Sequence, residues 1–259
     1  MDYGCIGEKL SHSFSKEIHN ALTDYDYQLL ELKREELEAF FTEKSFKAIN
    51  VTIPYKLDVI PYLDWISDEA RAINAVNTIV NRNGKLYGYN TDFYGLKGLI
   101  ERKIKSFKGK TVAILGSGGT SNTAFAVANS LDAENVVKVS RKKQEGYITY
   151  DELYESYSNC EIIINTTPCG MYPKAGVSAV DINRFPCVEA VFDAVYNPEN
   201  TKLTEIARGL GIKAISGMGM LVMQAAKAQQ YWYGATFDKQ DMKQLIKDAN
   251  DEMRRLFSE

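Results

Sequence analysis

The sequence predicts an α/β protein of two units, and three observations support that fold class. Short β-branched or aromatic runs alternate with amphipathic segments along most of the chain, which is typical of a parallel sheet covered by helices on both faces, and we expect such a sheet in each unit. The pattern restarts near Lys110, after a polar break with the sequence KSFKGK. With 259 residues, the chain is long enough for two modest domains.

The first unit opens with the strand DYGCIG, which is followed by a short helix from about Lys16 to Leu22. Ser13 or Ser15 can cap that helix, because a serine hydroxyl accepts a hydrogen bond from a free N–H of the first turn. The alternating run YDYQLLEL predicts a second strand, and REELEAFFTEK predicts a second helix.

The third strand, FKAINVTI, ends at Pro54, which cannot donate a ladder hydrogen bond. YKLDVIPYLD then predicts a short helix that ends near Pro61. Asn83 and Gly84 stand between two β-rich runs, which is typical of a hairpin with a two-residue turn. FYGLKGLIERKI predicts the helix that leaves this unit.

The second unit has a strand, a glycine turn and a helix in KTVAILGSGGTSNTAFAVANSL, then strands in ENVVKVS, CEIIINTTP, EAVFDAVY and IKAISG. TKLTEIARGLG predicts a helix with a glycine stop before the last of these strands. Two helical patterns without a further strand follow. Because the second unit is then complete, we expect residues 94–217 to form it, and residues 1–93 and 218–259 to form the first.

Composition and charge exclude several classes of function. The net charge of −3 provides no basic field that would hold nucleic acid or an anionic membrane. No apolar run approaches the ~18 residues that span a bilayer, and MDYGCIGEKLSH is too polar for a signal peptide. The four cysteines have no paired C-x-x-C spacing, so we expect a cytoplasmic protein with reduced thiols. The sequence does not fix the oligomeric state, and a homodimer is compatible with it.

The two histidines argue against metal and hydrolase chemistry. His12 and His19 have no obvious third ligand nearby, so a capping or packing pair is a better interpretation than a zinc site. A serine or cysteine hydrolase would need a histidine base, and nothing in the chain resembles G-x-S-x-G. We therefore expect no bound metal.

The stretch VAILGSGGTSNTA places Gly116, Gly118 and Gly119 between a strand and a helix. Glycine permits the tight turn and lets the backbone approach a pyrophosphate, while the helix N-terminus offers free N–H groups. The strict G-x-G-x-x-G pattern is not met, because Ser121 occupies its last position, although Ala124 is small enough for close helix–sheet packing. Inside a strand–helix–strand unit, this turn predicts a dinucleotide site.

The end of the next strand favours NADP over NAD. A carboxylate for the ribose 2′-hydroxyl is typical of NAD sites, but this chain has a basic cluster there. The cluster is Ser140, Arg141, Lys142 and Lys143. Arginine can stack on adenine and pair with a 2′-phosphate. The alternative is a solvated basic turn without a ligand.

Hydride transfer to or from a nicotinamide needs a proton partner at the substrate oxygen, and Lys56 and Asp92 are the candidates. Each follows a predicted strand, although each by itself is more often a surface charge. In open α/β sheets, ligands bind at strand exits, where other hydrogen-bonding side chains also stand. These are Ser13, Ser15, Thr52, Asn74, Asn77 and residues 165–167. Uncharged donors with one amine suit a small polyol acid better than a lipid.

Seven segments resemble, in order, motifs of the shikimate dehydrogenase family: GEKLSHSFSKEIHN, NVTIPYK, INAVNTIV, GYNTD, GSGGTSNTA, NTTPCGM and GMGMLVMQA. The resemblance spans Gly7 to about Gln224. It implies an N-terminal α/β substrate domain, a Rossmann-type cofactor domain and C-terminal helices that return to the first domain. It also implies NADP-linked interconversion of 3-dehydroshikimate and shikimate, in the chorismate pathway to aromatic amino acids. Lys16 stands where the family often has proline, which should alter the helix start.

The resemblance also implies roles for matching residues. Lys56 and Asp92 are expected beside the reacting oxygen. The expected substrate residues are Ser13 and Ser15 at the carboxylate, Thr52, Asn77 and Gln224 at the hydroxyls, and Tyr196 near the substrate. The expected cofactor residues are Gly116, Ser117, Gly118, Gly119 and Thr120 in the glycine turn, Ser140, Arg141 and Lys142 in the basic turn, and Thr166, Met171, Gly217 and Met220 around the nicotinamide.

These roles predict that the ammonium of Lys56 stabilises the alkoxide formed during reduction. The proton comes from that ammonium or through its hydrogen bond to Asp92, and the sequence leaves the formal donor open. Two rivals also stay open. A quinate or quinate/shikimate dehydrogenase would often prefer NAD, against which the missing acidic residue argues. A silent sensor of NADP or shikimate would not need both Lys56 and Asp92.

Overall fold

The computed structural model describes residues 1–10 and 14–257. It divides the chain into two compact units, Met1–Gly95 with Val222–Ala249, and Leu96–Leu221 with the C-terminal residues from Asn250. The sequence places the boundaries at 93/94 and 217/218 and assigns the whole C-terminal segment to the first domain. In the structure, the residues from Asn250 group with the second unit instead.

The described residues of the first unit contain one mixed sheet. Its strands are β1 (Tyr3–Gly7), β2 (Tyr27–Glu31), β3 (Ala48–Val51), β4 (Trp65–Ile66), β5 (Thr78–Arg82) and β6 (Lys85–Tyr89), in the spatial order β2-β1-β3-β5-β6-β4. The helices before β5 are α1 (Ser15–Leu22), α2 (Leu37–Glu43) and α3 (Asp68–Ile73), and α4 (Thr91–Glu101) begins after β6. The sequence did not predict β4 or α3, which have two and six residues.

The first sheet is mixed because a hairpin is inserted into it. β1 pairs in parallel with β2 and β3, whereas β5 pairs antiparallel with both β3 and β6. The turn at Asn83 and Gly84 joins β5 to β6, as predicted, and such a short turn joins antiparallel neighbours. The expectation of a parallel sheet is therefore wrong for this unit. The amino end of β5 consequently lies at the same edge as the carboxyl ends of β3 and β6.

Two local predictions in the first unit are also wrong. Ser15 is the first residue of α1 and not its cap; Phe14 occupies the cap position, without a side-chain hydrogen bond. YKLDVIPYLD contains a 3₁₀ turn at Ile60–Tyr62 and no α-helix. Pro61 explains the difference, because proline lacks the N–H that a continuing helix would use.

The second unit contains a parallel sheet among its described residues, as predicted. Its strands are β7 (Thr111–Leu115), β8 (Asn135–Val139), β9 (Ile162–Asn165), β10 (Ala190–Asp193) and β11 (Lys213–Ile215). Their order is β11-β10-β9-β7-β8, and all four pairings are parallel. The remaining helices of the chain are α5 (Gly119–Ser130), α6 (Tyr150–Ser156), α7 (Lys202–Gly209), α8 (Met218–Tyr233) and α9 (Lys239–Phe257).

The order of the second sheet defines a switch point beside β7. The chain passes from β7 to β8 on one side and then returns to β9 on the other side. In open α/β sheets, ligands bind outside the carboxyl ends of the strands at such a point. Apolar strand residues such as Ala113, Val139, Ile163 and Val191 are buried in the core. None of the described helices is long and apolar enough to cross a membrane.

Candidate active site

Lys56 and Asp92 form an ion pair in the first unit. Lys56 follows β3, and Asp92 lies in the first turn of α4, after β6. The Nζ atom of Lys56 donates to the Oδ2 atom of Asp92 across 2.6 Å, and their side chains are 26% and 18% exposed. The helix N-terminus also favours a carboxylate at position 92. The amine is therefore held by a carboxylate while part of its surface is open to a ligand.

Backbone hydrogen bonds fix the segments that carry this pair. The N–H of Val76 donates to the carbonyl of Lys56 across 2.8 Å. The N–H of Asn77 donates to the carbonyl of Tyr89 across 3.0 Å, and the carbonyl of Asn77 accepts from Val51 at 2.9 Å. The exits of β3 and β6 are thus tied to the residues that precede β5. This arrangement follows from the antiparallel hairpin.

Asn77 and Gln224 both contact Thr91 at the start of α4. Both side chains are buried, at 4% and 8% exposure. The Oδ1 atom of Asn77 accepts from the N–H of Thr91 at 2.7 Å, and the hydroxyl of Thr91 lies 3.2 Å from the Oε1 atom of Gln224. The structure therefore brings two predicted substrate residues to the turn that also carries Asp92.

The sequence-based prediction missed the polar residues behind Asn77. Tyr27 donates its hydroxyl to the Oδ1 atom of Asn50 at 2.8 Å, and the side-chain amide of Asn50 donates to the hydroxyl of Thr78 at 3.0 Å. Asn50 and Thr78 are both buried. A signal for Asn50 was available, because Asn50 and Thr52 are two residues apart and point to the same side of an extended strand.

The other predicted residues of the first unit have different outcomes. Thr52 directly follows β3 and is half-buried, and its N–H donates to the carbonyl of Ile6 at 3.0 Å. Ser15 begins α1. Ser13 lies outside the described residues. Asn74 has a structural role, because it ends α3 in the left-handed conformation, with φ of 55°.

His19 is a packing residue, as the sequence suggested, whereas His12 lies outside the described residues. The His19 ring is fully buried and stacks with both Tyr27 and Trp232, whose centroids are 4.2 and 5.1 Å away. Its Nδ1 atom lies 2.9 Å from both the Tyr25 hydroxyl and the Gln229 side-chain amide. Burial lowers the pKa of His19 to about 3. Among residues 1–10 and 14–257, no group of His, Cys, Asp and Glu side chains could hold a metal ion.

The glycine turn of the second unit lies at the switch point. Gly116 has φ of +115°, and a β-carbon there would lie 2.7 Å from the Oγ1 atom of Thr166, at the exit of β9. Gly118 and Gly119 precede and begin α5, and a β-carbon on either would meet no atom within 4 Å. Ser117 is exposed and Thr120 is half-buried. Exposed N–H groups at the start of a twelve-residue helix, beside backbone without side chains, suit a pyrophosphate.

The basic turn after β8 is a closed loop. The N–H of Ser140 donates to the carbonyl of Ile148 at 2.9 Å, and its hydroxyl donates to the carbonyl of Lys142. Arg141, Lys142 and Lys143 are all exposed. Lys143 pairs with Glu152. Lys143 therefore has a carboxylate partner in α6, which distinguishes it from Arg141 and Lys142 in the same loop.

Four further predicted residues follow the strands on the other side of β7. Thr166 directly follows β9, and its hydroxyl donates to the carbonyl of Leu115 at 2.6 Å. Met171 is 42% exposed in the next loop. Tyr196 lies in the loop after β10 and is half-buried. Gly217 directly precedes α8, and its N–H donates to the carbonyl of Val195 at 2.8 Å.

Met220, the remaining predicted cofactor residue, is buried in the first turn of α8. The structure places Gly116 against Thr166. Their roles stay predictions.

The fold and these residues define a class of protein. A parallel sheet with a glycine turn at its switch point is typical of Rossmann-type dinucleotide-binding units. The first unit adds an amine–carboxylate pair among hydrogen-bonding side chains, which suits proton transfer to a small polar molecule. These features together are those of a two-domain nicotinamide-dependent oxidoreductase.

Comparisons with known proteins identify the family. Residues 5–79 match the family model described as shikimate dehydrogenase substrate binding domain. Shikimate dehydrogenase (NADP(+)) of Clostridium perfringens is 38% identical, over 95% of this chain and 97% of that protein. A chorismate mutase/shikimate 5-dehydrogenase fusion protein from Clostridium acetobutylicum matches with a TM-score of 0.90 and 34% identity, over 98% of each chain. The chain belongs to the shikimate dehydrogenase family.

A further solved structure of the family was determined with ligands. Shikimate 5-dehydrogenase from Thermus thermophilus, in complex with NADP(H) and shikimate, matches with a TM-score of 0.81 and 25% identity. The match covers 96% of this chain and 99% of that one.

Proposed function

We propose that the protein catalyses the reversible, NADP-dependent reduction of 3-dehydroshikimate to shikimate, a step of chorismate and aromatic amino acid biosynthesis. The observation that carries this proposal is the 2.6 Å contact between Lys56 and Asp92, beside Asn77 and Gln224 in a chain of this family. Relatives that are 34–39% identical over most of the chain support it, since the curated ones are named as NADP(+)-dependent shikimate dehydrogenases.

The second unit has the features that NADP requires. Gly118 and Gly119 leave space beside the N–H groups that begin α5, which supports a pyrophosphate site in the turn from Gly116 to Thr120. Ser140, Arg141 and Lys142 would hold the 2′-phosphate, and the exposed guanidinium of Arg141 suits bidentate contact with that group. When bound, NADPH would supply the hydride for reduction, and NADP+ would accept it in the reverse direction.

The first unit offers hydrogen-bonding groups for a polyol acid. We assign the substrate carboxylate to the hydroxyls of Ser13 and Ser15. We assign the ring hydroxyls to Thr52, Asn77 and Gln224, and we expect Tyr196 near the substrate. The buried contacts of Asn77 with Thr91 support its role, because an ordered amide recognises a hydroxyl at lower entropic cost.

Lys56 and Asp92 handle the proton. The Lys56 ammonium stabilises the negative charge that develops on the substrate oxygen during reduction, and it donates the proton directly or through Asp92. The carboxylate of Asp92 orients the amine through the hydrogen bond across 2.6 Å. In the oxidation direction, the same pair accepts the proton of the shikimate hydroxyl.

A substrate panel tests the proposal. Purified protein is assayed for reduced nicotinamide with shikimate or quinate, each with NADP or NAD. We expect the largest kcat/KM with shikimate and NADP. A larger value with quinate and NAD would establish the quinate alternative instead. Binding of NADP and shikimate without turnover in any of the four combinations would indicate a sensor.

Two further properties belong to the proposal. A cytoplasmic location is supported by the free thiols of all four cysteines, Cys5, Cys160, Cys169 and Cys187. A homodimer stays a prediction. Light scattering after size-exclusion chromatography measures the molar mass and decides between monomer and dimer.

A further inference from the structure

Asp193 is a buried carboxylate outside the residues assigned above. It is the last residue of β10 and is 0% exposed. Its Oδ1 atom accepts from the side-chain amide of Asn165 at 2.9 Å and from the N–H of Val195 at 3.0 Å, and its Oδ2 atom accepts from the Thr201 hydroxyl at 2.7 Å. Burial raises the pKa of Asp193, whereas these three donors act in the opposite direction.

The contacts of Asp193 continue into the loop after β9. The Oδ1 atom of Asn165 accepts from the N–H of Thr167 at 3.1 Å and from its hydroxyl at 2.7 Å. The hydroxyl oxygen of Thr167 in turn accepts from the N–H of Cys169 at 3.2 Å. A single chain of hydrogen bonds therefore runs from Asp193 to the loop that carries Thr166 and Met171.

The same carboxylate anchors two other segments. Val195, which donates to Asp193, accepts from the N–H of Gly217 at 2.8 Å, just before α8. A β-carbon on Gly217 would lie 2.2 Å from the carbonyl oxygen of Ala194, so these segments are in close contact. Thr201 caps α7, where its hydroxyl also accepts from the N–H of Thr204. Asp193 thus connects the exits of β9 and β10 with the starts of α7 and α8.

The strand order indicates which half of a bound dinucleotide would lie near the exits of β9 and β10. The basic turn follows β8 at one edge of the sheet, and the glycine turn follows β7 next to it. A dinucleotide with its 2′-phosphate at the basic turn and its pyrophosphate at the glycine turn extends its nicotinamide toward β9 and β10. Asp193 lies at the exit of β10, on that side of the glycine turn.

We propose that Asp193 is a positioning residue for the nicotinamide half of the cofactor, which it orders through Asn165, Thr167 and Val195 without contacting it. This inference rests on the proposed function, because it takes NADP as the ligand. The carboxylate accepts from donors on two strand exits and one helix start, and its removal would free all three. The adenosine half would lie at β7 and β8, and among the described residues no side-chain hydrogen bond joins the glycine turn or the basic turn to this network.

The test compares two ligands in one variant. Isothermal titration calorimetry measures the Kd of NADP+ and of adenosine 2′,5′-bisphosphate, which lacks the nicotinamide half. We expect Asp193→Ala to weaken NADP+ binding about tenfold, or about 1.4 kcal/mol, and to leave bisphosphate binding within about twofold. Asp193→Asn should recover most of the NADP+ affinity, because an amide can keep the Oδ1 contacts and donate to Thr201. Equal weakening of both ligands, unchanged NADP+ binding, or failure of the amide to recover affinity would overturn the proposal.

A matched control separates positioning from stability. Glu161 directly precedes β9, at the amino ends of the strands of the same sheet. Its carboxylate accepts there from the N–H of Thr111 at 2.8 Å. Glu161→Ala should lower the melting temperature but leave the Kd of both ligands unchanged. If it weakens NADP+ binding selectively, as expected for Asp193→Ala, the effect is general loosening and the proposal is wrong.

A second variant keeps the test decisive if Asp193→Ala does not fold. Thr167→Val removes the hydroxyl that links Asn165 to Cys169 in the hydrogen-bond network, and position 167 is half-buried. It should weaken NADP+ binding in the same selective way, and unchanged NADP+ binding would contradict the proposal. These measurements do not depend on turnover. A wild-type protein that binds NADP+ but does not oxidise shikimate would therefore refute the proposed function alone.

Discussion

Lys56 and Asp92 are 36 residues apart in the sequence, yet their Nζ and Oδ2 atoms are 2.6 Å apart at the edge where β3 and β6 end. A partly exposed ion pair adds little to the free energy of folding, since such pairs contribute about 0–1 kcal/mol. The value of this pair therefore lies in the fixed position of the amine. An ammonium held by a carboxylate can face a substrate oxygen without first losing rotamer freedom.

The first prediction concerns Lys56→Ala. We expect kcat to fall by ~10² to 10⁴, because general acid catalysis contributes that much to proton transfer. Shikimate and NADP should still bind, since Asn77, Gln224 and the glycine turn are unchanged. Steady-state kinetics with shikimate and NADP, together with calorimetric binding of each ligand, provides the measurement. Turnover near the wild-type level with intact binding would refute the role of Lys56.

Lys110 provides the matched control for this variant. Its Nζ atom lies 2.6 Å from the Oε1 atom of Glu189, and its side chain is 23% exposed, close to the 26% of Lys56. Lys110→Ala thus removes a lysine of the same burial from an ion pair of the same length. We expect its kcat to stay within about twofold of wild type. A comparable loss in both variants would indicate that ion-pair loss, and not proton transfer, explains the effect.

The sequence predicted the parts of the fold that depend on short-range chemistry. The Asn83–Gly84 hairpin and the glycine turn before α5 were both found, because their backbone conformations are set by one or two residues. The antiparallel insertion of β5 beside β3 was not predicted. That pairing depends on tertiary contacts of distant segments, which local patterns do not encode.

The candidate site shows the same division. Lys56 and Asp92 were predicted because each follows a strand, and strand exits share one edge of a sheet. Asn50 and Asp193 were not predicted as parts of polar networks, since each reads locally as the end of an apolar strand. Their partners, such as Thr78 and Asn165, are 28 residues away in each case. The pairing of Lys143 with Glu152 likewise could not be inferred from a run of basic residues.

The second prediction concerns cofactor choice at Arg141. We expect Arg141→Ala to raise the KM for NADP about tenfold and to leave the KM for NAD within about twofold, because a charge-assisted contact to the 2′-phosphate is lost. Steady-state kinetics with both cofactors at saturating shikimate measures the ratio. Lys143→Ala is the control, since Lys143 in the same exposed loop already pairs with Glu152. An equal change in both variants would show that the net charge of the loop decides the preference.

The third prediction tests the glycine turn with two substitutions at positive φ. Gly116→Ala would place a β-carbon 2.7 Å from the Oγ1 atom of Thr166, whereas Gly84→Ala, at φ of +82°, would meet nothing within 4 Å. Both substitutions should cost about 1–2 kcal/mol of backbone strain. We expect only Gly116→Ala to raise the Kd of NADP, because it displaces the exit of β9. Unchanged NADP affinity in Gly116→Ala would contradict the assignment of the turn.

The last prediction concerns His19 and the dependence of stability on pH. The folded protein lowers the pKa of His19 to about 3 from the ordinary 6.5, because the ring is fully buried against Tyr27 and Trp232. Above pH 6.5 the ring is neutral in both states and contributes no pH dependence. Between 6.5 and 3 the unfolded chain binds a proton that the folded protein does not bind. The contribution of His19 to the free energy of unfolding therefore falls as the pH is lowered through this window, by up to about 1.4 kcal/mol per pH unit.

His19→Phe isolates this contribution, because it retains an aromatic ring in the stack but does not titrate. The variant should be less stable at pH 7, since the contacts of Nδ1 with Tyr25 and Gln229 are lost. Its stability should nevertheless decline less steeply than that of wild type as the pH falls below 6.5. Urea unfolding at several pH values measures both slopes, and every other titrating group, including His12, is common to the two proteins. Parallel slopes would mean that His19 is protonated in the folded protein, and its assignment as a neutral packing residue would then be wrong.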